Sequence, residues 1–317
     1  MVQFKTTGAS PILMKKVYHF WIGILGLVVF QTALFLRVPG VTTFFYSLIW
    51  WSYIIMIDGL VYRLRGNSLM INRTKEFFSL IPWSVVIWLI FEGFNLVLKN
   101  WYYIGVPKPI WIRWPGYVVA FGTVLPAILE TSDLLAALGF FTEKRLKPVR
   151  IQGAWFRPLI ITGTLCLVLP LSLPLFCFPL VWLGFIFLLE PFNYRTGRAS
   201  LLKDLEEGKI GTLIQFLFSG LICGLLWEFW NFWAESKWVY SVPWVGSVKL
   251  FEMPVLGFFG FPPFALECFV LVHFLGLLGP QRVGGKKIGR SAFMAWLFFC
   301  GIMFSAIDSH TVHSFGP

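Results

Sequence analysis

Charge is what this chain has least of. Only 13% of its 317 residues are Asp, Glu, Lys or Arg, while 57% are hydrophobic. A soluble globule could not cover its surface with so few charges, so that class is excluded and an all-α polytopic membrane protein is expected. The 15 acids are outnumbered by 26 bases. Those bases fall in short runs between apolar segments and form no continuous patch, which argues against nucleic acid as a partner. Cysteine is sparse too. Cys166, Cys177, Cys223, Cys268 and Cys300 all lie inside apolar runs with no CxxC pair, so they read as small buried hydrophobes and not as a disulfide framework or metal cluster. There is no P-loop, no GxGxxG after a strand, no nucleophile elbow and no HExxH, so neither cofactor nor metal is expected. His310 and His313 form an HxxH without a third ligand. His19 and His273 stand alone near or within apolar runs and read as hydrogen-bond partners in a helix bundle.

What the chain has instead is a series of long apolar runs. Stretches of about 20 apolar residues, the length needed to cross a bilayer, fall at 17–36, 42–62, 77–98, 115–139, 158–173, 174–190, 210–233, 254–278 and 291–308. The first follows Lys15 and Lys16 in the manner of a signal sequence. It is long for a cleaved segment and has no clear small-residue cleavage site, so it reads as a retained span. Only Pro170 and Pro174 separate the fifth from the sixth, which leaves open one kinked re-entrant pair or two short spans. With nine spans, 20 of the 26 basic residues fall at the N-terminus and in the loops after spans two, four, six and eight. That asymmetry predicts a cytoplasmic N-terminus and an external C-terminus in a plasma or inner membrane.

The chain also matches itself. Glu92 and Asn95 match Glu228 and Asn231 at an offset of 136, while Trp101, Tyr103, Pro126 and Glu130 match Trp238, Tyr240, Pro263 and Glu267 at 137. Upstream, Asp58, Tyr62, Arg63 and Ser68 match Glu190, Tyr194, Arg195 and Ser200 at 132. Residues 1–145 then form a first repeat of four spans and residues 146–280 a second, with residues 281–317 supplying a ninth span and a short tail. Four spans per copy is an even number, so the copies enter the membrane in the same direction as parallel repeats. The loop from Phe140 to Arg157, with its run EKRLKPVR, is the natural joint.

Carboxylates inside spans cost about 2.5–3.5 kcal/mol each on insertion scales, so Glu92, Glu130, Glu228 and Glu267 require a reason. A carboxyl kept dry favours its proton-carrying form, which suits it to proton donation. Asn95 and Asn231 each lie three residues beyond a glutamate, on the same helix face, and can orient it. Pro126 and Pro263 precede Glu130 and Glu267 by four, so each is expected to bend its helix from within and free a carbonyl beside the acid. The four acids would then meet between the two halves. The competing reading is that they hydrogen-bond across helices to hold the bundle together. Asp58 and Glu190, within about one turn of a helix end, suit anchoring, and Asp133, with no acidic match, suits a structural role. Trp101, Tyr102, Tyr103, Trp111, Trp114, Trp238, Tyr240 and Trp244 fall just beyond spans, where an aromatic belt is normal. Alternatively some fold inward as a lid, with Trp227, Trp230 and Trp233 lining a cavity whose ring faces stabilise a cation.

A span closing on an acid with Asn, an outer WxY segment and a proline-containing span carrying Glu together resemble the two-part integral membrane lycopene cyclases and related membrane terpene cyclases. The residues concerned are Glu92/Asn95 and Glu228/Asn231, Trp101/Tyr103 and Trp238/Tyr240, and Pro126/Glu130 and Pro263/Glu267. The chain departs from that family's pattern in having a single acid four residues after the proline and a shorter spacing from Asn to Trp. The resemblance implies cofactor-free, redox-neutral chemistry on an isoprenoid or carotenoid-like membrane lipid. In it one protonated glutamate starts a carbocation and a second carboxylate takes a proton back, giving cyclisation, isomerisation or hydration. Glu92, Glu130, Glu228 and Glu267 would be catalytic, and Asn95, Asn231, Trp101, Tyr103, Trp238, Tyr240, Trp227 and Trp230 would contact substrate. Two other readings use the same residues: a proton-coupled transporter with the glutamates as coupling sites, and a non-catalytic lipid-binding protein.

Overall fold

A computed structural model of the chain describes residues 18–244, 246, 248–278 and 289–316. Val17, the basic residues at 5, 15, 16, 282, 286 and 287, and residues 281–288 of the expected third segment lie outside the described residues. Among the described residues, nine stretches are long and apolar enough to cross a membrane. They are Tyr18–Phe35, Val41–Arg65, Thr74–Leu98, Ile110–Ala137, Gly153–Ser172, Pro174–Arg195, Gly211–Trp233, Val255–Phe274 and Arg290–His310. The protein is an all-α integral membrane protein, and the strands among the described residues are two to four residues long.

In chain order the helices are α1 (Tyr18–Phe35), α2 (Val41–Arg65), the short α3 (Leu69–Asn72), α4 (Thr74–Leu98), α5 (Ile110–Phe121), α6 (Val124–Ala137), α7 (Phe156–Ser172), the short α8 (Pro174–Cys177), α9 (Val181–Arg195), α10 (Leu201–Glu206), α11 (Gly211–Trp233), α12 (Phe261–Phe274) and α13 (Arg290–His310). The strands are β1 (Trp101–Ile104), β2 (Val106–Pro107), β3 (Lys237–Tyr240), β4 (Lys249–Leu250), β5 (Met253–Pro254) and β6 (Phe315–Gly316). β1 pairs antiparallel with β3, β2 parallel with β6, and β4 antiparallel with β5.

Hydrocarbon supplies no hydrophobic drive between helices, so close approach through small residues has to hold them. A side chain at Gly23 would strike the Met56 backbone and one at Gly59 the backbone of Phe20, which is how α1 packs on α2. The same device joins α7 to α9, where Gly163 faces the backbone of Leu188 and Gly184 the side chain of Leu167. The segment 158–190 is thus two spans: the chain leaves the helix at Leu173, and Pro174 opens the next one, where its missing N–H costs little. The buried core runs through α2, α4, α6, α9, α11 and α12.

The fourth span differs from expectation in two ways. It begins at Ile110, ahead of the expected residue 115, because the Arg113 side chain is buried against its partner Asp308 and need not stay in water. It also breaks between Phe121 and Val124, ahead of Pro126, so the proline does not bend the helix from inside. Pro126 occupies the first turn of α6, where the backbone N–H has no helical partner to lose. Ser84 of α4 closes the break: its hydroxyl donates to the Phe121 carbonyl at 2.6 Å and accepts from the Leu125 N–H at 3.0 Å. Pro263 likewise sits in the first turn of α12, after a 3-10 segment over Val255–Gly260.

Candidate functional site

Asn95 ends α4 by turning the chain back on itself. Its side-chain oxygen accepts from the N–H groups of Asn100 (2.9 Å) and Trp101 (3.2 Å), and its amide donates to the Trp101 carbonyl (2.9 Å). Asn231 does the same at the end of α11, accepting from the Trp238 N–H at 3.0 Å and donating to its carbonyl at 2.8 Å. Both asparagines therefore fasten a WxY strand to the helix that precedes it. Strand periodicity then places Trp101 and Tyr103 on one face of β1, and Trp238 and Tyr240 on one face of β3. The pairing register sets Trp101 opposite Tyr240 and Tyr103 opposite Trp238, so all four rings share one face.

Behind those rings lie two carboxyls. One oxygen of Glu92 accepts three hydrogen bonds, from the Trp88 indole (3.0 Å), the Trp101 indole (3.0 Å) and the Tyr103 hydroxyl (2.5 Å). One oxygen of Glu228 accepts from the Tyr240 hydroxyl (2.9 Å) and, at 3.4 Å, from the Trp238 indole. Each glutamate is fully buried, and the other oxygen of each has no hydrogen-bond partner. Burial, and next the charge of the adjacent carboxylate, hold the Tyr103 and Tyr240 phenols well above their ordinary range, so both keep their protons.

The aromatic face closes one side of a cavity of about 170 Å³. Trp101, Tyr103, Trp238 and Tyr240 line it together with Trp88, Trp182, Trp227 and Phe264. Its charged lining residues among the described residues are Arg113 and Lys237, and both are paired. Lys237 meets Glu252 at 2.6 Å. The Arg113 guanidinium grips Asp308 of α13 through two nitrogens at 2.8 and 2.7 Å, and Asp308 also accepts from Trp114 and Tyr117. The Trp227 indole N–H is buried without a partner in the cavity wall.

The other expected site residues are placed elsewhere. Like Glu92 and Glu228, Glu130 and Glu267 are fully buried and do not themselves line the cavity, but unlike them they accept no hydrogen bond from a residue that does. No donor group reaches either Glu130 oxygen and its carboxyl faces that of Asp58, while Glu267 accepts from the Phe185 N–H at 3.0 Å and leaves its other oxygen unpartnered. Trp230 packs in the core against Trp50 (4.9 Å between centroids) and Tyr53 (5.9 Å). The aromatics beyond the spans divide: Trp101 and Tyr103 are buried, whereas Trp111 and Trp244 are each 77% exposed. Asp58 and Glu190 are anchors in matching fashion. Asp58 accepts from the Ser68 hydroxyl and the Met70 N–H, and Glu190 from the Ser200 hydroxyl and the Leu202 N–H, each pinning the short helix that follows. Asp58 also meets His19 at 3.0 Å. Asp133 pairs with Arg73, and the His313 ring stacks on Tyr102. No group of three His, Cys, Asp or Glu able to hold a metal occurs among the described residues.

Sequence reasoning passed over Trp88, the Arg113–Asp308 pair and Ser84. Trp88 was legible as the residue one helical turn before Glu92 on the same face. Asp308 alone was legible, as an acid inside the ninth apolar run that needs a partner.

Comparison with protein-family models found no matching family, and comparisons with curated proteins and with solved structures found no match. What fold and site define is a class: an integral membrane protein of α-helices with an aromatic cavity backed by two buried carboxyl–phenol pairs.

Proposed function

We propose that the chain is an integral membrane enzyme that moves protons on and off an isoprenoid or carotenoid-like lipid, with no cofactor, to cyclise, isomerise or hydrate it. The observation that carries this reading is the convergence of two phenols, each hydrogen-bonded to a buried glutamate, on one aromatic cavity. A polyene chain is apolar and its protonated form is a carbocation, which ring faces stabilise. The Glu228–Tyr240 pair is the proton donor. In the reacting state Glu228 is protonated and donates to the phenol oxygen, the reverse of the hydrogen bond seen in the structure, so that the Tyr240 hydroxyl gives its proton to an alkene carbon and takes the one from Glu228. The Glu92–Tyr103 pair is the acceptor. Tyr103 takes a proton from the carbon next to the cation and hands one to Glu92, so the double bond moves and the product is an isomer of the substrate. An oxygen receiving three donated hydrogen bonds is built to carry negative charge, which assigns Glu92 the accepting role. Water reaching the cation in place of deprotonation gives a hydrated product.

The matched helix ends support reading the fold as two parallel four-helix repeats followed by a C-terminal helix. α6 and α12 begin and end 137 residues apart, and α4 and α11 begin 137 apart. The bias of basic residues supports a cytoplasmic N-terminus and an external C-terminus in the cell membrane, with β1 and β3 on the outer side. A second reading, proton-coupled transport, draws on Glu130, whose carboxyl faces that of Asp58, and on Glu267, with one oxygen unpartnered; both sit just past broken helix starts.

The test is mass spectrometry of membrane lipids from cells supplied with polyprenoid precursors and expressing the wild type, Glu228→Gln or Glu130→Gln. The enzymatic reading expects a product isomeric with its precursor, or heavier by one water, in the wild type and Glu130→Gln and absent in Glu228→Gln. Unchanged lipids in all three at equal expression would reject it in favour of transport.

A further inference from the structure

The cavity does not stand alone. An apolar groove of about 760 Å³ runs between α1, α2 and α5, and three of its lining residues, Phe44, Ser47 and Gly116, also line the cavity. From Phe44 to Ile55 the groove follows α2 for about 16 Å at the helical rise of 1.5 Å per residue. That is roughly half of the ~30 Å hydrocarbon core, the depth of one leaflet. No charged residue among the described residues lines it, and two of its polar side chains are satisfied from within. The Trp51 indole donates to the Val119 carbonyl at 3.1 Å, and the Ser52 hydroxyl to the Leu48 carbonyl at 2.8 Å. Trp111, 77% exposed, stands at the end of the groove nearest β1, where an interfacial tryptophan is expected.

We propose that this groove is a lateral portal, through which one hydrocarbon chain of a lipid in the leaflet on the β1 side passes between Phe44 and Gly116 into the cavity. The groove runs along the exposed Ile22, Leu25 and Val29 of α1 on one side, shares the wall formed by Phe44, Ser47 and Gly116 with the cavity on the other, and matches one chain of one leaflet in length. The narrow point is set by residues that leave room. Ser47 is small, and at Gly116 the only neighbour a side chain would meet is the Phe44 ring, 4.0 Å from an added Cβ. The inference rests on reading the cavity as the seat of a lipid chain.

The experiment is photolabelling in phosphatidylcholine vesicles containing phosphatidylcholine with a diazirine at the end of one acyl chain, mapped by peptide mass spectrometry. In the wild type we expect labels on groove residues such as Ile22 and Leu48 and on cavity residues such as Trp182 and Phe264. Gly116→Phe and Ser47→Phe should keep the groove labels and lose those in the cavity. Gly301→Phe, at a position on α13 with open space around it, should keep both. Gly116→Ala, which brings only ordinary contact with Phe44, serves if the larger side chains prevent folding, and it should lower the cavity labels without abolishing them. Absence of cavity labels in the wild type, or undiminished labels in the blocked variants, would overturn the proposal. Labelling needs no turnover. Intact cavity labelling without any lipid conversion would reject the enzymatic reading and keep the portal, whereas conversion with undiminished labelling in Gly116→Phe would reject the portal alone.

Discussion

Glu92 and Glu228 close matching helices, and each accepts a hydrogen bond from the phenol and from the indole of its own WxY strand; the two sites part company at the third donor. Trp88 reaches Glu92 from one turn earlier on α4, and the matching position on α11 is Gly224. A side chain at Gly224 would run into the Phe261 ring, so the second site gives up its third donor to let α12 pack closely on α11. The strands differ in the same sense. β1 is held on its other edge by the segment after α13, with the Tyr103 N–H donating to the Thr311 carbonyl at 2.7 Å and its carbonyl accepting from His313 at 2.8 Å. All four residues of β3 are half-buried, whereas Trp101 and Tyr103 of β1 are buried. The first site is locked and the second is looser. A group that must hold negative charge benefits from fixed donors, while a group that must deliver a proton benefits from fewer competing hydrogen bonds.

The sharpest way to break that comparison is to remove each acid. Glu92→Ala strands three donors, the buried Trp101 indole and Tyr103 hydroxyl and the half-buried Trp88 indole, at about 1–3 kcal/mol each, a large share of a marginal fold's stability. Glu228→Ala strands two, one of them already long. Thermal unfolding in detergent should therefore show Glu92→Ala losing much more stability than Glu228→Ala, and equal losses would erase the distinction. Next in size, Tyr240→Phe should lower turnover of a polyprenoid substrate by about 10²–10⁴, the usual worth of a positioned acid, with stability nearly intact. Retained turnover would remove Tyr240 from the chemistry. The asparagines give a smaller contrast. Asn95→Ala gives up three hydrogen bonds and Asn231→Ala two, so the first should cost about 1 kcal/mol more in unfolding. Smallest is an alkaline effect. Both phenols are held above their usual value near 10, so the stability they add is present below pH about 10 and fades as the pH climbs through their raised values. Tyr103→Phe, lacking one titrating hydroxyl, should show a shallower alkaline loss than the wild type.

Much of this was legible in the residues themselves. The nine apolar runs match the nine spans among the described residues because hydrocarbon requires long helices, and the offsets near 137 single out Glu92, Glu228 and their WxY partners. The belt-or-lid ambiguity of the aromatics could not be settled from composition, because Trp101 and Trp111 look alike in sequence. One is turned inward by the Asn95 clamp, and the other sits on the outer face of α5. The helix break lies ahead of Pro126, not at it, because at the first turn of α6 proline is a starter and Ser84, far away in sequence, fills the gap. The Arg113–Asp308 pair depends on contact between α5 and α13, which no local pattern encodes. Glu130 and Glu267 stand in the same relation to proline as expected, yet their helices carry them away from the cavity lining.

The measurement that most directly tests the central claim is deuterium uptake. Wild-type protein in vesicles would be given a polyprenoid precursor in heavy water, beside Tyr240→Phe, and the recovered lipid weighed by mass spectrometry. Proton-initiated chemistry at the Tyr240–Glu228 pair predicts a product carrying a single deuterium from solvent in the wild type and next to none in the variant. A precursor recovered unchanged and unlabelled, or labelled equally in both, would contradict it.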